Sequence, residues 1–161
     1  MADIWKPSVT VAAIVERNGQ FLLVEEMTGD GLRFNQPAGH LEPDETLLQA
    51  VVRETLEESA HDFTPTALIG TYLSRSSSTR SGAAVTYLRF AFCGTVSAPR
   101  DQPLDIGVLR AVWMTLDEVR ACEARHRSPL VLQCVLDYLA GARAPLSLVN
   151  THPSALEMLH G

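Results

Sequence analysis

Lysine is almost missing from this chain: Lys6 stands alone beside twelve arginines, against nineteen Asp and Glu, for a formal net charge of −6. No basic run occurs, so the electrostatic footprint of a nucleic-acid binder is lacking, and a net negative surface repels a polyanion. A small anionic substrate stays compatible, because local arginines and a bound cation override the global field. Long apolar runs are lacking too. No stretch approaches the roughly 20 residues of a membrane-spanning helix, and Met1 to Pro7 lacks the basic-then-apolar order of a signal peptide. The chain is therefore expected in the cytosol and away from membranes. Cysteine is scarce: Cys93, Cys122 and Cys134 are odd in number and form no Cys-x-x-Cys pair, which points to neither a disulfide framework nor a zinc site. The five histidines show no ligand spacing.

What is present suffices for one core. At 161 residues with 46% hydrophobic content, a single compact domain spanning 1–161 is expected, and a mainly disordered chain is excluded. Thr10 to Glu16 and Gln20 to Glu25 are β-branched-rich runs joined by Arg17-Asn18-Gly19, a hairpin signal. Gly29, Gly31, Pro37 and Gly39 punctuate a loop, after which Asp44 offers a helix cap and helical spacing runs to about Ser59. Ala67 to Ser74 and Ala83 to Val96 read as strands, with Leu88, Phe90 and Phe92 alternating against Tyr87, Arg89 and Cys93. The polar connector from Arg75 to Gly82 reads as a mobile loop. Ala111 to Met114 reads as a short strand and Leu116 to Ala124 as a helix. Ser128-Pro129 reads as a cap opening a last helix to about Ala140. Strands and helices mixed without regular alternation predict an α+β fold around a mixed sheet.

One helix carries an unusual charge pattern. A turn of about 100° per residue places Leu48, Val52 and Leu56 on one stripe, expected to be dry, and Glu54, Glu57 and Glu58 opposite it. Like charges at these spacings cost roughly 0.2–0.5 kcal/mol each, and no lysine relieves them. A solvated charge face is the bland explanation of three such glutamates. Their frame argues otherwise: Gly39, five residues, Glu45, seven residues, Arg53-Glu54, two residues, Glu57-Glu58.

That frame resembles the Nudix box, Gly-x5-Glu-x7-Arg-Glu-U-x-Glu-Glu-x-Gly-U with U apolar, here over residues 39–61. The leading glycine and every charged position match. Thr55, Ala60 and His61 depart at softer positions, and Ala60 in place of glycine predicts a different helix end. Trp5 to Val11, Phe34 to Glu42, Arg127 to Leu130 and Tyr138 to Gly141 look like a bacterial phosphatase branch of the same family.

The resemblance implies an α/β/α sandwich and metal-dependent hydrolysis of phosphoanhydride bonds in a small phosphorylated substrate. Nucleoside tri- and diphosphates and hydroxymethylpyrimidine diphosphate are the implied substrates, with release of orthophosphate. It implies that Glu54, Glu57 and Glu58, with the backbone carbonyl of Ala38, hold Mg²⁺, for which Mn²⁺ would substitute. Such a cation suits carboxylate oxygens and substrate phosphates, and it lowers the pKa of bound water. Glu57 or Glu54 would be the general base, which spacing alone does not decide. Arg53 would orient a neighbouring carboxylate. Gly39 and Glu45 would support the site, Glu45 by interacting with the helix dipole and by contacting Arg53.

Outside the box, Asp105 is either an extra loop acid or a turn aspartate in water. Arg75, Arg80 and Arg89 are candidate phosphate clamps. Phe34 and Tyr87 are candidate stacking surfaces for a base, although aromatic residues in sheets commonly belong to the core. His40 takes a structural or solvated role. Two competing functions are a pyrophosphatase for an ADP-ribose or dinucleoside polyphosphate type of substrate and a non-catalytic nucleotide-binding regulator. The pattern accommodates a monomer or a homodimer.

Overall fold

The computed structural model describes residues 3–77 and 82–157. The chain opens with β1 (Ser8–Ile14), and a hairpin joins β2 (Glu16–Arg17) to β3 (Gln20–Thr28). Asn18 and Gly19 both take positive φ, 53° and 78°, as the two-residue turn between right-twisted strands demands. The stretch expected as a loop contains two strands instead, β4 (Gly31–Asn35) and β5 (Ala38–His40). Each is a short strand beside a longer one, β4 on β3 and β5 on β1, so pairing supplies what local sequence does not.

Two sheets result. In the first the order is β5-β1-β7-β6, with β6 (Phe63–Ser77) and β7 (Ala84–Val96) forming a long antiparallel pair, while β1 runs parallel to β7 and antiparallel to β5. In the second, β3 lies between β8 (Val108–Thr115) on one side and β2 and β4 on the other. Helix α1 (Leu47–Ser59) packs on the Val11, Ala13 and Phe92 side, and α3 (Leu130–Leu139) packs on the Ala12, Ala91 and Cys93 side. Helix α2 (Leu116–Ala121) closes a third cluster with Leu23, Phe34 and Val131. The outcome is the expected α+β sandwich around a mixed sheet. No helix among the described residues is long and apolar enough to cross a membrane.

Helix α1 departs from its expected geometry in three ways. Its cap is Thr46, whose hydroxyl accepts from the Gln49 N–H while Gln49 accepts from the Thr46 N–H; Asp44 lies before the cap at φ 62°. Glu45 therefore precedes the helix and does not stand in its first turn. The buried face is Ala50, Val51, Glu54, Thr55, Glu58 and Ser59, about a third of a turn away from Leu48, Val52 and Leu56. Those three apolar residues line an open groove of about 430 Å³ with Gln49 and Arg53. Small residues win the inner face because they let the helix approach the sheet closely enough for two glutamates to reach it. Finally, Ala60 itself takes the left-handed conformation, φ 60° and ψ 13°, and its N–H bonds to Leu56. The helix ends as a glycine would end it, contrary to the expectation from the missing glycine.

Candidate active site

The inward face of α1 carries Glu54 and Glu58, each 8% exposed, to the edge of β5. Along β5, Pro37 and Leu41 spend their backbone groups on Ala13 and Val9 of β1. The alternation of an extended strand then turns Ala38 and His40 outward, toward α1. The Ala38 N–H donates to Glu58 Oε2 at 3.0 Å, and the His40 carbonyl accepts from Arg53 at 3.0 Å. Between them Gly39 leaves room for Glu54: an added Cβ would stand 2.1 Å from the carboxyl carbon.

Arg53 organises the remaining acids. Its Nε and Nη2 grip Glu45 at 3.0 and 2.7 Å in a bidentate pair, and this guanidinium holds the Glu45 carboxyl below its usual range. Its Nη1 donates to Glu54 at 2.8 Å and to Glu57 at 3.2 Å. Burial pushes the Glu58 carboxyl up to about 8, against the opposing Ala38 amide and with added repulsion from Glu26, Glu54 and Asp105. Burial also raises Glu54, with Arg53 opposing and Glu57 and Asp105 adding.

Asp105 belongs to this cluster. Its backbone N–H donates to the Glu57 carbonyl at 2.9 Å, and its charge is felt by both Glu54 and Glu58. Glu26, paired with Arg127 at 2.9 Å, is a neighbour that sequence reasoning missed. A Glu-Glu pair ending an apolar strand was the available signal.

The remaining candidates lie elsewhere. Phe34 is 2% exposed, packed in the core with Leu23, Val119 and Val131, and the Arg125 guanidinium stands 4.5 Å from its ring centroid, so it presents no face to a base. Arg75 is exposed on β6 opposite Thr86 and forms no ion pair with the box. Arg80 lies outside the described residues. Arg89 is buried among Asn35, Gln36 and Cys134, away from the carboxylates. Tyr87 is half-buried with its ring centroid 6.2 Å from that of His40.

The donor set consists of hard oxygens: Glu26, Glu54, Glu57, Glu58 and Asp105, and among the described residues only Arg53 and Arg127 form ion pairs with members of it. Among the described residues, no three acidic, histidine or cysteine side chains yet converge at ligand spacing. An excess of partly dehydrated carboxylates, one of them protonated below about pH 8, is the electrostatics that a hard divalent cation relieves.

A family model for the NUDIX domain matches residues 5–134. The chain belongs to the Nudix family. Phosphatase NudJ of Escherichia coli K12 is 36% identical over 149 residues, covering 91% of this chain and 93% of NudJ; NudJ of Shigella flexneri gives the same figures. A NUDIX hydrolase from Nitrosomonas europaea superposes with a TM-score of 0.84 at 48% identity, covering 91% of this chain and 98% of that one. The MutT protein of Methanosarcina mazei Go1, with a TM-score of 0.68 and 19% identity over 88% of this chain and 100% of that one, shares the Nudix fold. This Nudix protein is accordingly an enzyme, a hydrolase of phosphoanhydride bonds in small phosphorylated substrates and similar to phosphatase NudJ. Nudix hydrolases in general use divalent metals.

Proposed function

We propose that the domain spanning 1–161 is a Mg²⁺-dependent phosphohydrolase that releases orthophosphate from nucleoside tri- and diphosphates and from hydroxymethylpyrimidine diphosphate. The observation that carries the metal requirement is Glu58: a carboxylate 8% exposed, facing further acids, with one backbone amide as its donor. Ionising a carboxyl buried in this way is costly, and a cation at this edge of β5 would remove the cost. Similarity to NudJ supports the release of orthophosphate.

In this reading Glu54, Glu57, Glu58 and the Ala38 carbonyl hold the metal. When bound, Mg²⁺ polarises the phosphate oxygens and lowers the pKa of a bound water. Arg53 and Glu45 fix the orientation of the carboxylates, since Arg53 touches both. The general base belongs to the Glu54–Glu57 pair, which a single guanidinium nitrogen holds together.

Product analysis tests this. Incubation of a nucleoside triphosphate, a nucleoside diphosphate and hydroxymethylpyrimidine diphosphate with Mg²⁺ is expected to yield orthophosphate from all three. Mononucleotide plus pyrophosphate from the triphosphate would overturn it in favour of a nucleotide pyrophosphatase.

A further inference from the structure

Arg53 has no donor left for a substrate. A guanidinium carries five N–H groups, and here Nε goes to Glu45, those on Nη2 to Glu45 and the His40 carbonyl, and those on Nη1 to Glu54 and Glu57. The arginine at the centre of the acidic cluster is a brace, fully engaged by the protein. A cation at the glutamates neutralises the phosphate it touches, but a chain of two or more phosphates extends past it among Glu26 and Asp105, whose charges already act on Glu58. That part of the chain needs a second positive partner.

Two arginines beside Glu26 meet this need. Along β3 the alternation puts Leu22, Val24 and Glu26 on one face, and Leu22 packs in one cluster with Ala50 and Val51 of α1. Register sets Arg33 of β4 directly opposite Glu26, so its side chain leaves from the same face. Arg127 arrives from the loop before α3. Its backbone N–H donates to the Phe34 carbonyl at 2.8 Å, which places it next to Arg33, and its Nη1 donates to Glu26 Oε1 at 2.9 Å. Glu26 is in turn the acid that Glu58 feels most strongly. The two arginines therefore border the box glutamates.

Neither guanidinium is used up. Glu26 takes one N–H of Arg127, whose side chain is 49% exposed, and the other guanidinium N–H groups of Arg127 have no partner among the described residues. Arg33 gives one N–H to the Leu32 carbonyl at 3.3 Å and enters no ion pair among the described residues, although Glu26 stands across from it. Other arginines are committed: Arg110 and Arg125 to Glu25, and Arg100 through two nitrogens to Asp62. Planar forks with free donors on one face match the oxygens of a phosphate, which arginine binds bidentately.

We propose that Arg33 and Arg127 clamp the phosphate that adjoins the metal-bound one, so that the site selects ligands with two or more linked phosphates over those with a single one. The proposal rests on the phosphohydrolase reading above for the metal-bound phosphate. It moves the clamp expected at Arg75 and Arg89 to two other arginines.

Equilibrium binding tests this without turnover. Methylenediphosphonate, whose P–C–P bridge is not hydrolysed, is titrated into wild type with Mg²⁺ in a calorimeter, beside methylphosphonate, which carries a single phosphorus. Arg127→Met is expected to weaken the diphosphonate on the order of 10-fold or more and methylphosphonate by less than about 2-fold. Arg33→Met should do the same, and Arg127→Lys should recover part of the loss, since a point charge keeps the attraction and lacks the fork. Arg75→Met, exposed on β6, should leave both Kd values in place. A ratio of the two Kd values that is unchanged in either Met variant, a loss shared equally by methylphosphonate, or a wild type that does not bind the diphosphonate overturns the proposal. Urea midpoints report whether the variants fold; if Arg127→Met does not, Arg33→Met and Arg127→Lys decide. If wild type releases no orthophosphate from any nucleoside phosphate yet the ratio collapses in the variants, the phosphohydrolase reading fails and the clamp stands.

Discussion

Gly39 and Glu54 are in such close approach that any side chain on the first would occupy the carboxylate of the second. A Cβ at Gly39 would lie 2.1 Å from Glu54 Cδ and 2.2 and 2.3 Å from its two oxygens. The glycine at this position is a packing condition. Gly39→Ala is expected to leave the fold intact, costing about 1 kcal/mol, because the displaced group is the end of a flexible side chain. Catalysis should suffer more, by about 10²-fold in kcat/KM, the scale of an ångström-level misplacement. Steady-state kinetics beside urea unfolding decides it; activity lost only in proportion to unfolded protein would refute it.

Glu58 makes the metal-free protein sensitive to pH. Its carboxyl, raised from 4.5 to about 8 in the folded state, binds a proton more tightly folded than unfolded. Stability from this group is full below about pH 4.5 and is lost as pH climbs through about 8. The midpoint temperature measured in EDTA should fall between pH 5 and pH 8, and Glu58→Gln should flatten that fall. Mg²⁺ should stabilise wild type more at pH 8 than at pH 6, because its ligands must shed protons to bind. Equal pH slopes for wild type and variant would contradict the assignment.

The two neighbouring valines of α1 should differ sharply. Val51 is fully buried against the first sheet, while Val52 borders the open groove with Leu48 and Leu56. Val51→Ala is expected to cost about 1–3 kcal/mol through lost burial and a cavity. Val52→Ala should stay within about 0.5 kcal/mol of wild type. Urea denaturation of both checks which face is inside, and equal losses would restore the face expected from periodicity.

That pair also shows where sequence reading succeeds and where it stops. The Asn18-Gly19 hairpin was legible because its turn is decided by two residues, and the box was legible because six charged or glycine positions hold fixed spacings over β5, the turn after it and α1. The orientation of that helix was not. Apolar periodicity favours the Leu48–Val52–Leu56 stripe, but close approach to a sheet selects Ala50, Val51, Thr55 and Ser59, and only the partner surface distinguishes the two. Likewise β4 and β5 exist because β3 and β1 offer them edges. Glu26 and Asp105 come from two separate segments, and their meeting beside the box glutamates is a product of topology that the spacing within the box does not announce.

Ala60 carries one more consequence. It sits 5% exposed in a left-handed conformation that costs an alanine roughly 1–2 kcal/mol, held there by its N–H bond to Leu56 and by the Arg100 N–H, which donates to its carbonyl at 2.7 Å. Ala60→Gly should therefore raise stability by about 1 kcal/mol in urea unfolding; an unchanged or lowered value would contradict the strain. The end of the box is thus met here by a torsion angle and not by a letter, and any pattern that insists on glycine rejects a backbone that already complies.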